Sequence, residues 1–460
     1  MLITGGEVDG RPGSDVRLRD GRIAEVGPGL RPRPGEDVVD AAGNAVIPAL
    51  HDHHVHLTAL AAAHASVHVD RLGLAALRDA PGTGWVRAVG YHESIAGPLD
   101  RQQLDELVPD RPVRVQHRSG ILWVLNTRGL DAVGAATADE PGIERDEHGT
   151  PTGRLWRGDR WLADRVPTTP VDLAAVGRHA ADHGITGFTD ADPHRTAAGV
   201  ARLHEARLPQ AVTLMSADGL ALPPGCTAGA RKRILDDTTL PPVDDLAAWI
   251  ADAHRDGHAV AVHCVTRVQL VVTLTAMADA DAHTGSGPRP RQGDRIEHGG
   301  VVPPELHDEL RRLGLTVVTQ PNFVAERGDQ YRTDVDPDDL PHLYPCARLL
   351  AAGVQVAAGT DAPFGRPDPW AAIRAAVHRR TPAGHVLGAD DRVDPPTALA
   401  LFQGPAADPA TPRRVAPGQP ADLCVLDRPL AALHRAIAGA EELDPIAVTV
   451  ARGDVIADRR

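Results

Sequence analysis

The sequence predicts an α/β protein built on a (β/α)8 TIM-like barrel. A small β-sandwich module made from both termini and a large insertion after the first barrel strand complete the expectation. Three observations carry it. Eight apolar strand-like runs alternate with helical stretches through the middle of the chain, the rhythm of a parallel sheet or barrel. Both ends read instead as short β pieces punctuated by Gly/Pro turns. Residues 58–169 break the rhythm and hold four of the six tryptophans, Trp85, Trp123, Trp156 and Trp161.

The chain has 460 residues, enough for one large barrel plus a smaller module. The first 45 residues give Asp15–Arg19, Arg22–Val26 and Asp37–Asp40 as strands around the turns Asp20-Gly21 and Gly27-Pro28. Matching pieces return at Ala421–Asp427 and Ala447–Ile456, so residues 1–45 and 415–460 are expected to form one composite module. The barrel is expected over 46–414. Its strands are read near 45–52 and at Gly184–Asp190, Gln210–Met215, Ala228–Leu235, His258–His263, Asp294–His298, Leu315–Gln320 and Val354–Asp361. Helices are expected at 171–183, 194–207, 244–256, 303–313, 341–352 and 369–380, and mobile loops at 285–291 and 328–341. An insertion at 58–169 would leave from the carboxyl-terminal face of a barrel and roof its site.

The net charge of −14 argues against nucleic acid or an anionic membrane surface as partner. No basic-then-apolar leader opens the chain, and its apolar runs are too interrupted for a membrane span, so a cytoplasmic protein is expected. Cys226, Cys264, Cys346 and Cys424 are widely spaced and read as free thiols.

The chemistry begins at Val46-Ile-Pro-Ala-Leu-His-Asp-His-His-Val-His56. On an extended strand Asp52, His54 and His56 share one face, and His51 and His53 the other. Neighbouring imidazoles at the end of a buried strand are costly unless something binds them, which points to a divalent metal. Further candidates fall at later strands: Lys232, His263, His298 and Asp361. Barrel geometry makes strand ends converge, so the set carries more weight than any member. Lys232 is the one lysine among 48 basic residues, all the others being arginine.

These motifs resemble the metal-dependent amidohydrolase superfamily, and within it the amidohydrolase family 3 branch. Pro48–His56 is similar to its Asp-x-His-x-His strand, and Lys232-Arg-Ile-Leu-Asp236 to its lysine segment. Arg295-Ile-Glu-His298, Thr319-Gln-Pro321, Gly359-Thr-Asp-Ala-Pro363 and Val415–Leu423 follow in order. The resemblance implies His54 and His56 on one metal, His263 and His298 on a second, and Asp361 as metal ligand and proton-handling catalytic residue. It implies zinc first among divalent metals, two per chain, bridged by Lys232 carboxylated to a carbamate. Only an amine forms a carbamate; guanidinium does not. The implied reaction is hydrolysis of a non-peptide C–N bond in a small amide-type molecule (amide, N-formyl, N-acyl or cyclic amide) by metal-activated hydroxide, in a monomer or homodimer.

Where the family's insert carries Asp-Gly-His, this chain has Arg118-Ser119-Gly120, which makes His117 a candidate replacement for a substrate contact. Trp123 and Gln320 join it as candidate substrate-binding residues. Two alternatives stand beside the hydrolase. A mononuclear amino-heterocycle deaminase resembles the chain less, since Val265–Val268 offers no Glu after His263. A catalytically inert barrel acting as a binding protein would have lost ligands, and none is missing.

Overall fold

The structure, a computed structural model, describes residues 1–167, 171–283 and 293–460, the side chains of 281–283 excepted. The loop expected at 285–291 lies outside the described residues. The chain divides into two compact units, Met1–His56 with Leu173–Arg460, and Leu57–Asp172.

The first unit contains two parallel sheets. One has the order Cys226–Ala228, Ala211–Leu214, Ile185–Asp190, Leu50–Val55. The other runs Arg231–Ile234, Val260–Cys264, Arg295–His298, Thr316–Thr319, Gln355–Ala358. Every residue of Leu50–Val55, Ile185–Asp190, Arg295–His298 and Thr316–Thr319 is buried. Burial on both faces is the condition of strands covered by helices, and here it also encloses the polar side chains of Leu50–Val55 and Arg295–His298.

Two expected strands are each divided in two. The run read at 45–52 becomes Val46–Pro48, antiparallel to Leu423–Leu426, and Leu50–Val55, parallel to Ile185–Asp190. One apolar run thus serves two sheets. The run read at 228–235 breaks at Gly229-Ala230, where Gly229 N donates to Leu214 O (2.8 Å) and Arg231 N to Ala259 O (2.8 Å). The chain changes pairing partner at that point, so Lys232 belongs to the second sheet. At the other edge Asp361 N donates to His54 O (2.8 Å) and His56 N to Ala362 O (2.9 Å).

The terminal segments make two four-stranded sheets. One has the order Arg22–Gly27, Arg11–Arg19, Leu2–Val8, Val38–Asp40; the other Asp454–Asp458, Ile446–Ala451, Leu423–Leu426, Val46–Pro48. Ile3, Val16, Ile23, Val46, Val425 and Val448 meet in one buried cluster that spans both.

Three helical regions differ from expectation. Residues 328–334, read as part of a loop, close the helix Asn322–Asp334. Its polar composition hides an anchored face: Phe323 and Val324 are buried, and Asp329 accepts from Thr381 Oγ1 (2.5 Å) and Ala383 N (2.8 Å). The helix Arg267–His283 went unread because its β-branched run imitates a strand, leaving Val268 and Val271 exposed. At 341–352 the helix is confined to Cys346–Ala351, after a 3₁₀ turn at Leu340–His342. No helix among the described residues is long and apolar enough to cross a membrane.

The second unit, Leu57–Asp172, holds a six-stranded sheet ordered Ile143–Arg145, Pro151–Trp156, Leu122–Leu125, Val113–His117, Val86–Tyr91, Val67–His68. The last three strands are parallel to one another and the others antiparallel. Tyr91, Leu104, Val113 and Val115 lie in its apolar cluster.

Packing in the first unit makes one stability prediction. Trp370, on the helix Pro369–His378 capped by Asp368, is fully buried and donates Nε1–H to His183 O at 3.1 Å. Trp370→Ala is expected to cost about 3–5 kcal/mol, read as a lower urea midpoint at unchanged slope.

Candidate metal centre

The first unit gathers His54, His56, Lys232, His263, His298 and Asp361. The ring centroids of His54 and His56 lie 5.5 Å apart, those of His54 and His298 4.8 Å, and those of His263 and His298 4.4 Å. Lys232 Nζ is 3.2 Å from His54 Nε2. Asp361 Oδ1 stands 3.4 Å from His56 Nε2 and 3.6 Å from His54 Nε2, without hydrogen-bond geometry to either. Donor atoms of His54, His298 and Asp361 all fall within 4.8 Å of one another, and all three side chains are buried.

Backbone conformation creates this convergence. Glu297 and His298 are successive strand residues whose side chains would ordinarily leave opposite faces. His298 takes φ 73°, and Asp361, just beyond its strand, φ 54°. Left-handed backbone is unfavourable for residues with a Cβ, and it persists where surrounding contacts impose it, often at functional sites. Gly359 is required for a different reason. A Cβ there would lie 2.4 Å from His54 N.

Several neighbours hold the gathered residues in place. Glu297, fully buried, accepts a very short hydrogen bond from His54 Nδ1, leaving Nε2 directed at Lys232 and Asp361. Arg295 pairs with Glu297 and donates to His53 O (2.6 Å). Gln320 Oε1 sits 2.8 Å from His298 Nδ1. Asp52 accepts from Thr360 N (2.9 Å) and Thr360 Oγ1 (2.5 Å), tying the first strand to the residue before Asp361. Burial pushes the Asp52 carboxyl up to about 6 despite those bonds.

Electrostatics keeps the imidazoles neutral. Burial lowers His54, His263 and His298 below the ordinary histidine range. It also lowers the Lys232 amine, against the pull of Glu297 and Asp361. Burial alone would raise the Asp361 carboxyl, but its interactions with His56, His54 and His298 outweigh it and hold it well below the ordinary carboxylate range. Neutral imidazoles at His54, His263 and His298 beside an ionised carboxylate are the protonation states a cation needs.

The remaining candidates serve other contacts. Gln320 is buried behind His298. His117 and Trp123 belong to the second unit, where His117 Nε2 meets Glu93 Oε2 at 3.0 Å. The indole of Trp123 is buried, with the guanidinium carbons of Arg87 and Arg114 each 5.4 Å from its ring centre and Nε1 bonded to Asp159 (2.7 Å). His51 and His53 are not surface residues; they stack on each other, buried, with centroids 4.5 Å apart. Sequence reasoning missed Glu297, although Arg295-x-Glu297 beside a candidate histidine is the spacing of a same-face ion pair.

The family model for the amidohydrolase family matches residues 37–457. The chain belongs to the amidohydrolase family. Among curated relatives, the N-substituted formamide deformylase of Arthrobacter pascens is 26% identical over 90% of this chain and 90% of its own length. An uncharacterized metal-dependent hydrolase from Pyrococcus horikoshii OT3 superposes with TM-score 0.74 at 18% identity, covering 96% of this chain and 99% of its own. The N-isopropylammelide isopropylaminohydrolase of Burkholderia multivorans gives 0.55 at 17%, covering 100% and 98%. These structures establish likeness of fold. As a member of this family the chain is a metal-dependent hydrolase of carbon–nitrogen bonds.

Gly359→Ala tests the packing at the centre. The added methyl must displace the His54 backbone, and a loss of about 1–3 kcal/mol is expected, as for overpacked cores. Gly27, with nothing within 4 Å of its Cβ position and an ordinary φ, is the control whose alanine variant should melt nearly as the parent does.

Proposed function

We propose that this protein hydrolyses a small, non-peptide amide, with the N-formyl or N-acyl group of a substituted amine as the first class to try. The observation that carries the proposal is the unpartnered, buried Asp361 Oδ1 facing His54 Nε2 and His56 Nε2. Three donor atoms directed at one small space, two imidazole nitrogens and a carboxylate oxygen, suit a divalent cation of the zinc type. His54, His56, His263, His298 and Asp361 would hold the metal, with zinc the leading candidate. Lys232, carboxylated on Nζ, would bridge a second ion in a binuclear centre. When bound, such a metal supplies a Lewis acid for the carbonyl oxygen and acidifies water.

The chain's own groups then divide the work. Asp361, ionised at neutral pH, accepts the proton of the attacking water at Oδ1 and returns it to the leaving nitrogen. Glu297 fixes the tautomer and orientation of His54, as a carboxylate behind a metal-binding imidazole does. Gln320 does the same for His298. Lys232, lowered by burial, has more of the free amine from which a carbamate forms. The fold best suited to this arrangement is a (β/α)8 barrel closed at two seams, Leu50–Val55 beside Gln355–Ala358 and Cys226–Ala228 beside Arg231–Ile234. The terminal sheets would form a composite sandwich over 1–45 and 415–460, with 58–169 as an insertion after the first barrel strand. The relation to a formamide deformylase favours N-substituted formamides, and we place the enzyme in the cytoplasm.

A panel of N-substituted formamides, N-acyl amines, cyclic amides and amino-heterocycles, followed by amine or ammonia release with metal content, tests the reading. Amine release with about two metals per chain at the centre of the first unit is expected. Ammonia release from heterocycles with one metal would select the deaminase, and no turnover with no metal the binding protein. Asp361→Asn should lose at least about 100-fold in kcat while the fold persists by circular dichroism. Lys232→Ala should lose one metal and most activity. Glu297→Gln, which keeps the shape and removes the charge, should weaken metal affinity about 10–100-fold, read by competition with a chromophoric chelator.

A further inference from the structure

A second group of ligand-type side chains, built around His117 and its partner Glu93, lies in the Leu57–Asp172 unit. His92 and Glu93 directly follow the strand Val86–Tyr91, and His117 ends its parallel neighbour Val113–His117, with Tyr91 and His117 in register. Parallel pairing puts these ends side by side, and Arg118 N donates to Tyr91 O (2.8 Å) to hold them. His117 Nε2 stands 3.0 Å and His92 Nε2 3.9 Å from the same Glu93 Oε2, and the three ligand atoms lie within 4.8 Å of one another. Bonds of about 2.1 Å at tetrahedral angles separate donor atoms by about 3.4 Å. The observed spacings bracket that figure.

The supporting contacts repeat between the two histidines. His92-Glu-Ser94 and His117-Arg-Ser119 place a hydroxyl two residues after each ring, 3.0 Å from His92 Nδ1 and 2.7 Å from His117 Nδ1. Backbone N–H groups of Ser94 and Ser119 also reach these Nδ1 atoms, at 3.1 Å each. With no ion, Nδ1 accepts from the backbone and the Nε2–H of His117 faces Glu93. On loading, the ring proton moves from Nε2 to Nδ1, where it is donated to the serine hydroxyl and the backbone N–H gives up its contact to water, so each imidazole stays neutral while Nε2 is freed. A second group fixing the far nitrogen is what metal-binding histidines require. The ring side chains are 17% and 14% exposed, so an ion and its water can enter.

We propose that His92, Glu93 and His117 form a divalent transition-metal site of two imidazoles and one carboxylate. Two nitrogen ligands favour zinc, cobalt, nickel or copper over calcium and magnesium, whose preference is for oxygen. Three protein ligands leave the fourth position to water. The alternative is a simple imidazole–carboxylate pair between His117 and Glu93.

Titration of the metal-depleted full-length chain with Co²⁺, followed by visible absorption and by metal analysis, decides between them. Replacing His92 and Glu93 together by Gln is expected to remove about one equivalent relative to the parent. In an Asp361→Ala background, where binding at the first unit's centre is impaired, the same equivalent should remain and again be lost with the double substitution. Equal stoichiometry with and without the double substitution overturns the proposal. A measurement on the unmodified chain guards against misfolded variants. Carbethoxylation mapped by peptide mass should fall at His92 and His117 when Zn²⁺ is added. Unchanged modification at both positions leaves only the imidazole–carboxylate pair.

Discussion

The buried chain Arg295–Glu297–His54 is the constraint on which the centre depends. Glu297 is fully buried, and an isolated carboxylate there would be untenable. Arg295 supplies the opposite charge, His54 the second hydrogen bond, and His53 O takes a further guanidinium N–H. Burying such a set contributes little net stability, because desolvation offsets the attraction, yet removing one member leaves an uncompensated charge. What the arrangement secures is direction. It joins the strand Arg295–His298 to Leu50–Val55 across the interior and turns His54 Nε2 towards Asp361. Asp52 and Thr360 make the corresponding tie on the next strand.

The outline of this centre is legible in the sequence for a simple reason. Parallel strands buried on both faces are continuous apolar runs, and titratable residues at their ends stand out against them. His54, His298 and Asp361 were visible for that reason, and the structure brings them within one small space. Lys232 stood out by composition alone. Glu297 did not, because its role is set by a partner 243 residues away and spacing along one strand cannot reveal that. The left-handed backbone at His298 and Asp361 is equally hidden, since neither residue type announces it.

Element boundaries failed where tertiary contacts overrode local pattern. The division of the apolar run at Ala49 follows from two different partners, Leu423–Leu426 on one side and Ile185–Asp190 on the other. Residues 328–334 carry glycine and polar side chains, the composition of a loop, but Asp329 and Gly328 are seated against Thr381 and the helix continues. His51 and His53, read as residues of the opposite face, stack on each other in the interior, and His51 Nε2 meets Thr189 Oγ1 of the neighbouring strand at 2.9 Å.

The tie between Asp52 and Thr360 spans 308 residues. During synthesis the first strand must therefore wait, with a carboxylate suited only to a buried partner, until nearly four-fifths of the chain has been made. Contacts of such separation are slow to form and leave unpaired strand edges exposed in the interval. A strand that carries histidines and an aspartate is safer in that interval than one carrying only valine and isoleucine, because its polar face discourages pairing with another chain. The same residues that gather at the centre in the finished protein thus serve a second purpose in a segment that must wait for its partner.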